Sequence, residues 1–435
     1  MTNIAYNGII CRYGEIALKG HNRGQFERLF VKALKRALAE WKKLCCARER
    51  GRVLIHLNNF RPFPAELVEL VRRRLVDVFG LESFSVGCIV DSDMAAIEPV
   101  VTDVFEACYN AFTAETNGAE IRYRMRSRRS DKTFPMTTRE IEIHFADTFI
   151  ARYPGLKVDL DDADVTIGVE IRRSWTCVFS EKISGPGGLP AGCSSPALAL
   201  LSGGIDSPVA CYQTMKRGCH LNFLTFHSHP YTPPDTILKV ARLVRRLNQF
   251  QRPGRLLSCN LLAAQKVIRD SCAERYRTIL YRRLMFRIAT VIAAELGDRA
   301  LVTGEAIGQV ASQTIKNLDL INRASDLLVI RPLVSYDKQE TMAIARRIGT
   351  LETSEIQCPD SCTVFAPTSP STGATIAAIE REESALDIPG QVAQCLEAVT
   401  SVDLKTGEQR EWVVRRSIGS RSDLCDAGCG MPDAR

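Results

Sequence analysis

The chain has 435 residues, of which 45% are hydrophobic and 25% are charged, and its formal net charge is +7. This length and composition predict a globular protein of about three domains, each with enough apolar residues for its own core. No apolar stretch approaches the roughly 20 residues of a membrane span, and residues 1–6 lack the basic and apolar regions of a signal peptide. We therefore expect a cytoplasmic protein that does not associate with membranes.

Residues 1–60 form the first predicted segment, a small α+β unit. Strands are predicted over residues 6–13 and 53–57, and apolar residues at helical spacing predict a helix over residues 23–43.

Residues 61–184 form the second predicted segment, in which helices and strands again alternate. The spacing predicts helices over 65–79, 94–112 and 137–153, and strands over 83–90, 120–125, 165–171 and 176–179. This alternation is typical of a second α/β sandwich. Glycines and prolines then predict a linker over residues 185–193.

Residues 194–385 form the third predicted segment. Strands are predicted over 197–201, 220–226, 255–260, 300–303 and 327–331, and helices over 207–217, 235–247 and 338–348. Strands that alternate with helices indicate a doubly wound parallel sheet. Residues 386–435 are expected to be a C-terminal extension with a partly disordered tail.

The junction between the first strand and helix of the third segment reads Ser202-Gly203-Gly204-Ile205-Asp206-Ser207. Glycines allow close approach of a ligand to the backbone, and the free N–H groups at a helix start favour a phosphate. The loop lacks the Gly-Lys-Ser/Thr of a Walker A motif, so a different kind of nucleotide site is predicted. Asp206 is a candidate for holding Mg²⁺ on a leaving pyrophosphate. An ordinary glycine-rich turn is the structural alternative.

This loop resembles the PP-loop of ATP-pyrophosphatases, which bind ATP and release pyrophosphate while adenylating a substrate oxygen. Four further segments, 12–20, 128–135, 180–190 and 303–314, resemble the ThiI family of tRNA 4-thiouridine synthetases. The segments 331–333 and 336–338 fit the same family. The resemblance covers roughly residues 5–370.

The resemblance implies an N-terminal ferredoxin-like α+β domain, a THUMP domain and a PP-loop domain with a doubly wound parallel sheet. It also implies adenylation of the C4 oxygen of uridine at position eight of tRNA, followed by displacement of AMP by persulfide sulfur. ATP and Mg²⁺ are the implied cofactors, and tRNA is the implied partner. The ATP contacts carry over to Leu200, Leu201, Ser202, Gly203, Gly204, Asp206, Ser207, Thr225, Phe226, Arg282, Gly304 and Gln313.

Arginine clusters at residues 72–74 and 122–129 favour a polyanion as partner, although a solvated charged face is the simpler interpretation. In the family, the THUMP domain binds the acceptor end of tRNA. Lysines and arginines that contact phosphates supply affinity rather than base choice. The candidates for tRNA contact are Arg126, Arg128, Arg129 and Lys132.

The segment 359–365 matches the family segment that carries a catalytic cysteine, which makes Cys362 the candidate. Asp206 is the second candidate catalytic residue. Some family members carry the persulfide on a rhodanese domain, which is not expected here because the chain ends at residue 435. A cysteine desulfurase or another persulfide donor is therefore the implied partner. Secondary sulfur transfer to the sulfur-carrier protein of the thiamine thiazole is a further function in the family, where it is tied to the rhodanese domain. The family also suggests a homodimer.

Two C-x-x-x-C pairs are present, Cys358/Cys362 and Cys425/Cys429, whereas no C-x-x-C pair occurs. Cys358 is a candidate for a reversible disulfide with Cys362, with a spare loop cysteine as the alternative. The tail pair is a candidate sulfur relay. No metal site is predicted, and the iron–sulfur cysteines of some archaeal members correspond here to Thr278 and Tyr281. The alternative functions are another PP-loop tRNA-modifying enzyme and a tRNA-binding module without catalysis.

Overall fold

A computed structural model describes residues 4–116 and 120–412, apart from the side chain of Cys362. The chain divides into two compact units, residues 1–190 and residues 191–435. The tail cysteines Cys425 and Cys429 lie outside the described residues.

The first unit contains nine described strands and four described α-helices. The strands are β1 (Gly8–Arg12), β2 (Cys45–Glu49), β3 (Arg52–His56), β4 (Ser83–Val90), β5 (Ile121–Arg129), β6 (Leu156–Val158), β7 (Val165–Ile171), β8 (Thr176–Phe179) and β9 (Ile183–Ser184). The helices are α1 (Arg23–Ala37), α2 (Ala65–Leu75), α3 (Met94–Thr116) and α4 (Thr138–Arg152).

These strands form one mixed sheet in the order β2-β3-β1-β4-β8-β7-β5-β6, with β9 paired to β4. Its strands come from both N-terminal segments, and β4 joins them because it pairs with β1 on one side and with β8 on the other. The division predicted at residue 60 therefore lies within a unit that shares one sheet, and it stays a prediction.

One face of this sheet packs against the helices. Alternate residues of β1 and β3 enter the core with α1 and α2, and alternate residues of β5 and β7 enter a second core with α3 and α4. The opposite face has a smaller apolar cluster that includes Ile10, Leu54 and Cys177. The even-numbered residues of β5, Arg122 to Arg128, are absent from the helix-packed core formed by Ile121, Tyr123 and Met125.

The predicted linker is hydrogen-bonded to the first unit at its start. The amides of Gly185 and Gly187 donate to the carbonyls of Glu82 and Leu81, at 2.9 and 2.8 Å. Gly80 in turn donates to the carbonyl of Gly187 at 2.8 Å. The glycine- and proline-rich segment therefore packs along residues 80–82 before the second unit begins.

The second unit contains seven described strands and nine described α-helices. The strands are β10 (Ala197–Leu200), β11 (Leu221–His227), β12 (Leu256–Asn260), β13 (Ala300–Val302), β14 (Leu328–Ile330), β15 (Val399–Val402) and β16 (Gln409–Glu411). The helices are α5 (Asp206–Lys216), α6 (Asp235–Leu247), α7 (Leu262–Ser271), α8 (Arg277–Leu296), α9 (Ile315–Asn322), α10 (Lys338–Arg347), α11 (Leu351–Glu355), α12 (Ile376–Ser384) and α13 (Ile388–Glu397).

The sheet order of the second unit is β14-β13-β10-β11-β12-β15-β16. The first five strands are parallel, whereas β15 and β16 are antiparallel additions beside β12. The prediction of a doubly wound parallel sheet is confirmed. The chain moves from β10 towards β12 and then returns to β13 on the other side of β10. The strand order thus reverses between β10 and β13, where ligands bind in folds of this type.

Helix α8 is the longest of the described helices in the second unit. Its buried residues pack against α7, α9, α13 and the parallel strands in one core. Its buried positions are spread around most of its circumference, so the sequence has no clear apolar stripe there.

Candidate active site

The glycine loop joins the end of β10 to the start of α5. The Ser207 hydroxyl donates to the Ser202 carbonyl at 3.1 Å and accepts from the Ser202 amide at 3.1 Å. The amide of Gly204 donates to the Ser202 hydroxyl at 3.3 Å. Two serines of the motif therefore fix the shape of the loop at a helix N-terminus, where backbone N–H groups favour an anion.

Close packing requires a glycine at position 304 and leaves little room for a side chain at position 203 within the loop. A Cβ atom on Gly304, which follows β13, would lie 2.6 Å from the Ser207 amide nitrogen and 2.7 Å from its Cα. A Cβ atom on Gly203 would lie 3.3 Å from Nζ of Lys239. The structure thus gives a reason for Gly304 that sequence reasoning did not provide, because this glycine lets β13 end against the start of α5.

A cavity of about 810 Å³ opens above the carboxyl ends of β10, β11 and β13. It brings together every residue that the sequence predicts to contact the nucleotide: Leu200, Leu201, Ser202, Gly203, Gly204, Asp206, Ser207, Thr225, Phe226, Arg282, Gly304 and Gln313. Residues from four separate parts of the chain therefore meet at the point where the strand order reverses.

Arg282 reaches this cavity from α8 and is held by a buried carboxylate. Its Nη1 atom lies 3.0 Å from Oε1 of Glu305, which is only 1% exposed. Nε of Arg331 donates to Oε2 of Glu305 at 2.7 Å, and the Thr303 hydroxyl donates to the same oxygen at 2.9 Å. Burial alone would raise the pKa of Glu305, but the two arginines hold it below its ordinary value. Glu305 is therefore an anion that orients Arg282.

Gln313 lies in the cavity wall beside the residue that Arg282 contacts. Arg282 donates to the Ser312 hydroxyl at 3.3 Å. Within the described residues, Oε1 of Gln313 is buried and has no hydrogen-bond partner. Buried polar atoms are nearly always paired, so this oxygen is available as an acceptor for a ligand.

Asp206 stands at the first turn of α5 and contacts two side chains from other elements. Nζ of Lys338 lies 2.9 Å from its Oδ1 atom, and Nε2 of Gln309 donates to its Oδ2 atom at 2.9 Å. Both partners belong to segments that resemble the family motifs, but sequence reasoning gave them no role. Together they hold the carboxylate at the start of the glycine loop.

The cysteine segment, residues 354–363, forms a further part of the cavity wall. Cys358 lines the cavity, and so do Ser361 and Thr363, which flank Cys362 in a short 3₁₀ turn. The side chain of Cys362 lies outside the described part of the structure. The backbone at position 362 therefore lies between two residues that line the cavity.

Lys239 is a cavity residue that sequence reasoning missed. It lies on α6 among apolar neighbours and is 6% exposed. Lysine is almost never fully buried unless it is paired. A lysine within the apolar stripe of a predicted helix is therefore a signal that could have identified it.

The four predicted tRNA contacts lie at the end of β5 and in the loop after it. Arg126, Arg128 and Lys132 are exposed. Arg129 donates from Nη1 to the carbonyls of Phe134 and Met136, at 2.7 and 2.8 Å, so its guanidinium supports the loop. The role of all four in tRNA contact stays a prediction.

Arg122 and Arg124, which precede these candidates on β5, are engaged by an acidic loop. Arg122 pairs with Asp162 and Asp164, and Arg124 donates to the carbonyls of Leu160 and Asp161. The basic character of this strand is therefore concentrated at its carboxyl end.

Comparisons with known proteins agree with these observations. A family model described as "Thiamine biosynthesis protein (ThiI)" matches residues 192–388, a "ThiI ferredoxin-like domain" matches residues 8–85, and a "THUMP domain" matches residues 100–181. A probable tRNA sulfurtransferase of Moorella thermoacetica is 38% identical over 392 residues, which cover 90% of this chain and 96% of that protein. The chain belongs to the ThiI family.

A probable tRNA sulfurtransferase of Alkaliphilus oremlandii is 40% identical over 393 residues, which cover 90% of this chain and 97% of that protein. A crystal structure of a 4-thiouridine synthetase–RNA complex with bound ATP matches with a TM-score of 0.78 and 33% identity. The match covers 92% of this chain and 100% of that one. The predicted ferredoxin-like, THUMP and PP-loop folds are confirmed.

The exact domain limits stay predictions for this ThiI-family chain.

None of the described helices combines the length and the apolar character that a membrane crossing requires.

Proposed function

We propose that this chain is an ATP-dependent tRNA sulfurtransferase that converts uridine at position eight of tRNA to 4-thiouridine. One observation carries the proposal: the glycine loop and the cysteine segment line the same cavity. An activating site and a sulfur-handling segment at one cavity suit a reaction in which a uracil oxygen is first adenylated and then replaced. The relatives' names and the RNA complex with ATP support the same substrates.

The proposed position of ATP follows from the cavity walls. The phosphates bind the N–H groups at the glycine loop, where the helix dipole of α5 favours negative charge. Leu200, Leu201, Thr225 and Phe226 end two adjacent parallel strands and contact the adenosine. Arg282 and Gln313 supply a cation and an amide acceptor on the other side of the cavity.

The carboxylate of Asp206 fits a magnesium ion, because Mg²⁺ in nucleotide sites is usually held by one or two carboxylates together with phosphate oxygens. When bound, Mg²⁺ supplies charge neutralisation for the leaving pyrophosphate. Lys338 and Gln309 hold the Asp206 carboxylate at the loop, and the ammonium of Lys338 adds a second positive charge for the phosphates.

The proposed reaction has two displacements. The C4 oxygen of uracil attacks the α-phosphorus of ATP, and pyrophosphate leaves with the electron pair of the broken P–O bond. A persulfide sulfur then attacks C4, and AMP leaves with the oxygen. Thiolates and persulfides suit this step because they are nucleophilic near neutral pH. The product of the attack on C4 is a disulfide between the sulfur on C4 and the carrier cysteine. A second thiol attacks the carrier sulfur, the S–S bond breaks, 4-thiouridine leaves with its sulfur, and the two thiols remain joined as a disulfide that a free thiol such as cysteine reduces. Cys362 either carries the persulfide, which it receives from a donor such as a cysteine desulfurase, or is the second thiol.

The proposed tRNA contacts are tested by the salt dependence of binding. Replacing Arg126 and Arg128 together by alanine is expected to weaken tRNA binding and to reduce the slope of log affinity against log salt by about 1 per arginine. Arg122→Ala is the matched control, since the Arg122 guanidinium already pairs with Asp162 and Asp164. An unchanged slope in the double variant would contradict phosphate contact by this strand.

The role of Cys362 is tested by separating activation from sulfur transfer. Cys362→Ser is expected to release pyrophosphate in a tRNA-dependent manner but to form no 4-thiouridine. Cys358→Ser, which removes a thiol from the same cavity wall, distinguishes the two readings of that cysteine: full thiolation makes it a spare loop cysteine, and a loss as large as that of Cys362→Ser makes it the disulfide partner of Cys362. Wild-type thiolation by Cys362→Ser would refute the proposed sulfur path.

A further inference from the structure

The cysteine segment reaches the nucleotide cavity by crossing from α11 to the turn at residues 361–363. It has little regular structure of its own, because residues 357–360 belong to neither helix nor strand. Two buried polar side chains, Lys239 and Gln265, donate to its backbone from different helices. Each contact joins residues that are far apart in the sequence.

Lys239 holds the start of this segment. Its Nζ atom donates to the carbonyl of Ser354 at 2.9 Å and to that of Ile356 at 2.7 Å. An ammonium has three donors, so two of them are used by the segment. Burial lowers the pKa of Lys239, and the nearby Cys358 and Asp360 oppose this effect. A buried cation is costly unless its donors are satisfied, which makes these contacts strong constraints on the backbone.

The same ammonium lies against the glycine loop, as the distance of 3.3 Å from a Cβ atom placed on Gly203 indicates. Lys239 therefore lies beside the loop proposed to hold the phosphates and is hydrogen-bonded to the segment that leads to the cysteines.

Gln265 holds the other end of the segment. Its Nε2 atom donates to the carbonyl of Ser361 at 2.8 Å, one residue before Cys362. Its Oε1 atom accepts from the Ser228 hydroxyl at 2.6 Å, and Ser228 follows β11 directly. Gln265 is 1% exposed and Ser361 is 3% exposed, so water does not compete for these bonds.

We propose that Lys239 and Gln265 are positioning residues for sulfur transfer, which hold the backbone at position 362 beside the activated substrate. This inference rests on the proposed function, since it assigns the two side chains to its second displacement. Neither side chain takes part in the chemistry. Their loss misplaces the sulfur-handling segment while the glycine loop, fixed by its own serines, continues to bind ATP.

The test uses the full chain with tRNA, ATP and Mg²⁺ and measures two quantities for each variant. Pyrophosphate released without a sulfur donor reports adenylation, and 4-thiouridine formed with a desulfurase and cysteine reports the complete reaction. Lys239→Met keeps the length of the side chain but removes its donors. Gln265→Glu keeps the shape and the acceptor for Ser228 but removes the donor to Ser361.

We expect Gln265→Glu to release pyrophosphate at a rate and with an ATP KM close to those of the wild type. Lys239→Met removes an ammonium beside the glycine loop, so its ATP KM should rise, but with saturating ATP it should release pyrophosphate at the wild-type rate. The 4-thiouridine formation of both variants is expected to fall about 100-fold, the loss typical of a reacting group displaced by about 1 Å. Arg242→Met is the matched control, because Arg242 is an exposed cation on α6, and both of its activities should remain unchanged.

Equal losses of pyrophosphate release and thiolation would overturn the inference, because the side chains would then serve ATP binding or general stability. Unchanged thiolation would overturn it as well. Circular dichroism establishes that each variant folds, and either folded variant decides the matter by itself. If neither folds, the two residues serve the fold and the inference fails. Failure of the proposed function gives a different result: the wild-type chain itself would make no 4-thiouridine with any donor.

Discussion

The buried carboxylate of Glu305 provides a quantitative test of the site, because it compensates the charges of two arginines. The change is Glu305→Gln, which keeps the shape of the side chain and removes its charge. Arg282 and Arg331 would then lose their anionic partner while their side chains stay 21% and 14% exposed. Removing one partner of a buried pair costs about 3–5 kcal/mol, and the partial exposure of the arginines favours the lower end of that range.

A loss of about 3 kcal/mol is expected to lower the melting temperature of the transition that includes residues 191–435 by roughly 6–12 °C. Arg282 would also lose its orientation, so the KM for ATP should rise about tenfold, which corresponds to about 1.4 kcal/mol. Differential scanning calorimetry and the ATP dependence of pyrophosphate release measure the two effects.

Glu408→Gln is the matched control, because Glu408 pairs with Arg410 at the surface, where the two side chains are 60% and 72% exposed. Exposed pairs contribute at most about 1 kcal/mol. If Glu305→Gln melted at the same temperature as Glu408→Gln and kept the wild-type KM for ATP, the role given to Glu305 would be wrong.

Three further changes test the packing and the charges of the second unit. Gly304→Ala should abolish ATP-dependent pyrophosphate release, because its Cβ atom would meet the Ser207 backbone. Gly373→Ala is the matched control and should be tolerated, because its Cβ atom would meet only Cδ of Lys316 at 3.7 Å. Burial would raise the pKa of Glu383, but two arginines of α8 lower it from 4.5 to about 2. The stability advantage of the wild type over Glu383→Gln should therefore be about 3 kcal/mol near neutral pH and disappear as the pH falls from 4.5 to 2. Burial raises the pKa of Asp298 from 3.8 to about 6. As the pH rises from 3.8 to 6, the free energy of unfolding of the wild type should therefore fall by about 3 kcal/mol relative to that of Asp298→Asn, which urea titrations at several pH values measure.

The sequence predicts the elements around the glycine loop closely. The strand predicted over 197–201 and the helix predicted over 207–217 are observed as Ala197–Leu200 and Asp206–Lys216. This agreement has a local cause, because a short apolar run, two glycines and a helix start follow each other directly. The family resemblance also identifies the residues that line the cavity, since motif residues are recognised without knowledge of the fold.

Elements whose stability depends on distant partners were harder to predict. The sequence did not predict helix α8, because this helix is buried on several sides and its apolar residues show little helical periodicity. Strands β15 and β16 add to the sheet through β12, which lies more than one hundred residues earlier in the chain. The helix predicted over 23–43 ends at Ala37, and the strand predicted over 120–125 continues to Arg129.

In the site, too, contacts between residues that are far apart in the sequence could not be predicted, whereas the residues of local motifs could. The contacts of Lys239 with residues 354 and 356, and of Gln265 with residue 361, span 96 to 117 positions in the sequence. No local pattern indicates which carbonyl a buried side chain will meet. Only a polar residue at an apolar helix position marks such a site in advance, and its partner follows from the fold.

The central claim is tested most directly by mass analysis of the nucleosides of tRNA after incubation with this chain, ATP, Mg²⁺, a cysteine desulfurase and cysteine. The account predicts one 4-thiouridine per tRNA, located at position eight, and none when ATP is omitted. Absence of 4-thiouridine with several persulfide donors, despite a folded protein that binds tRNA, would contradict it.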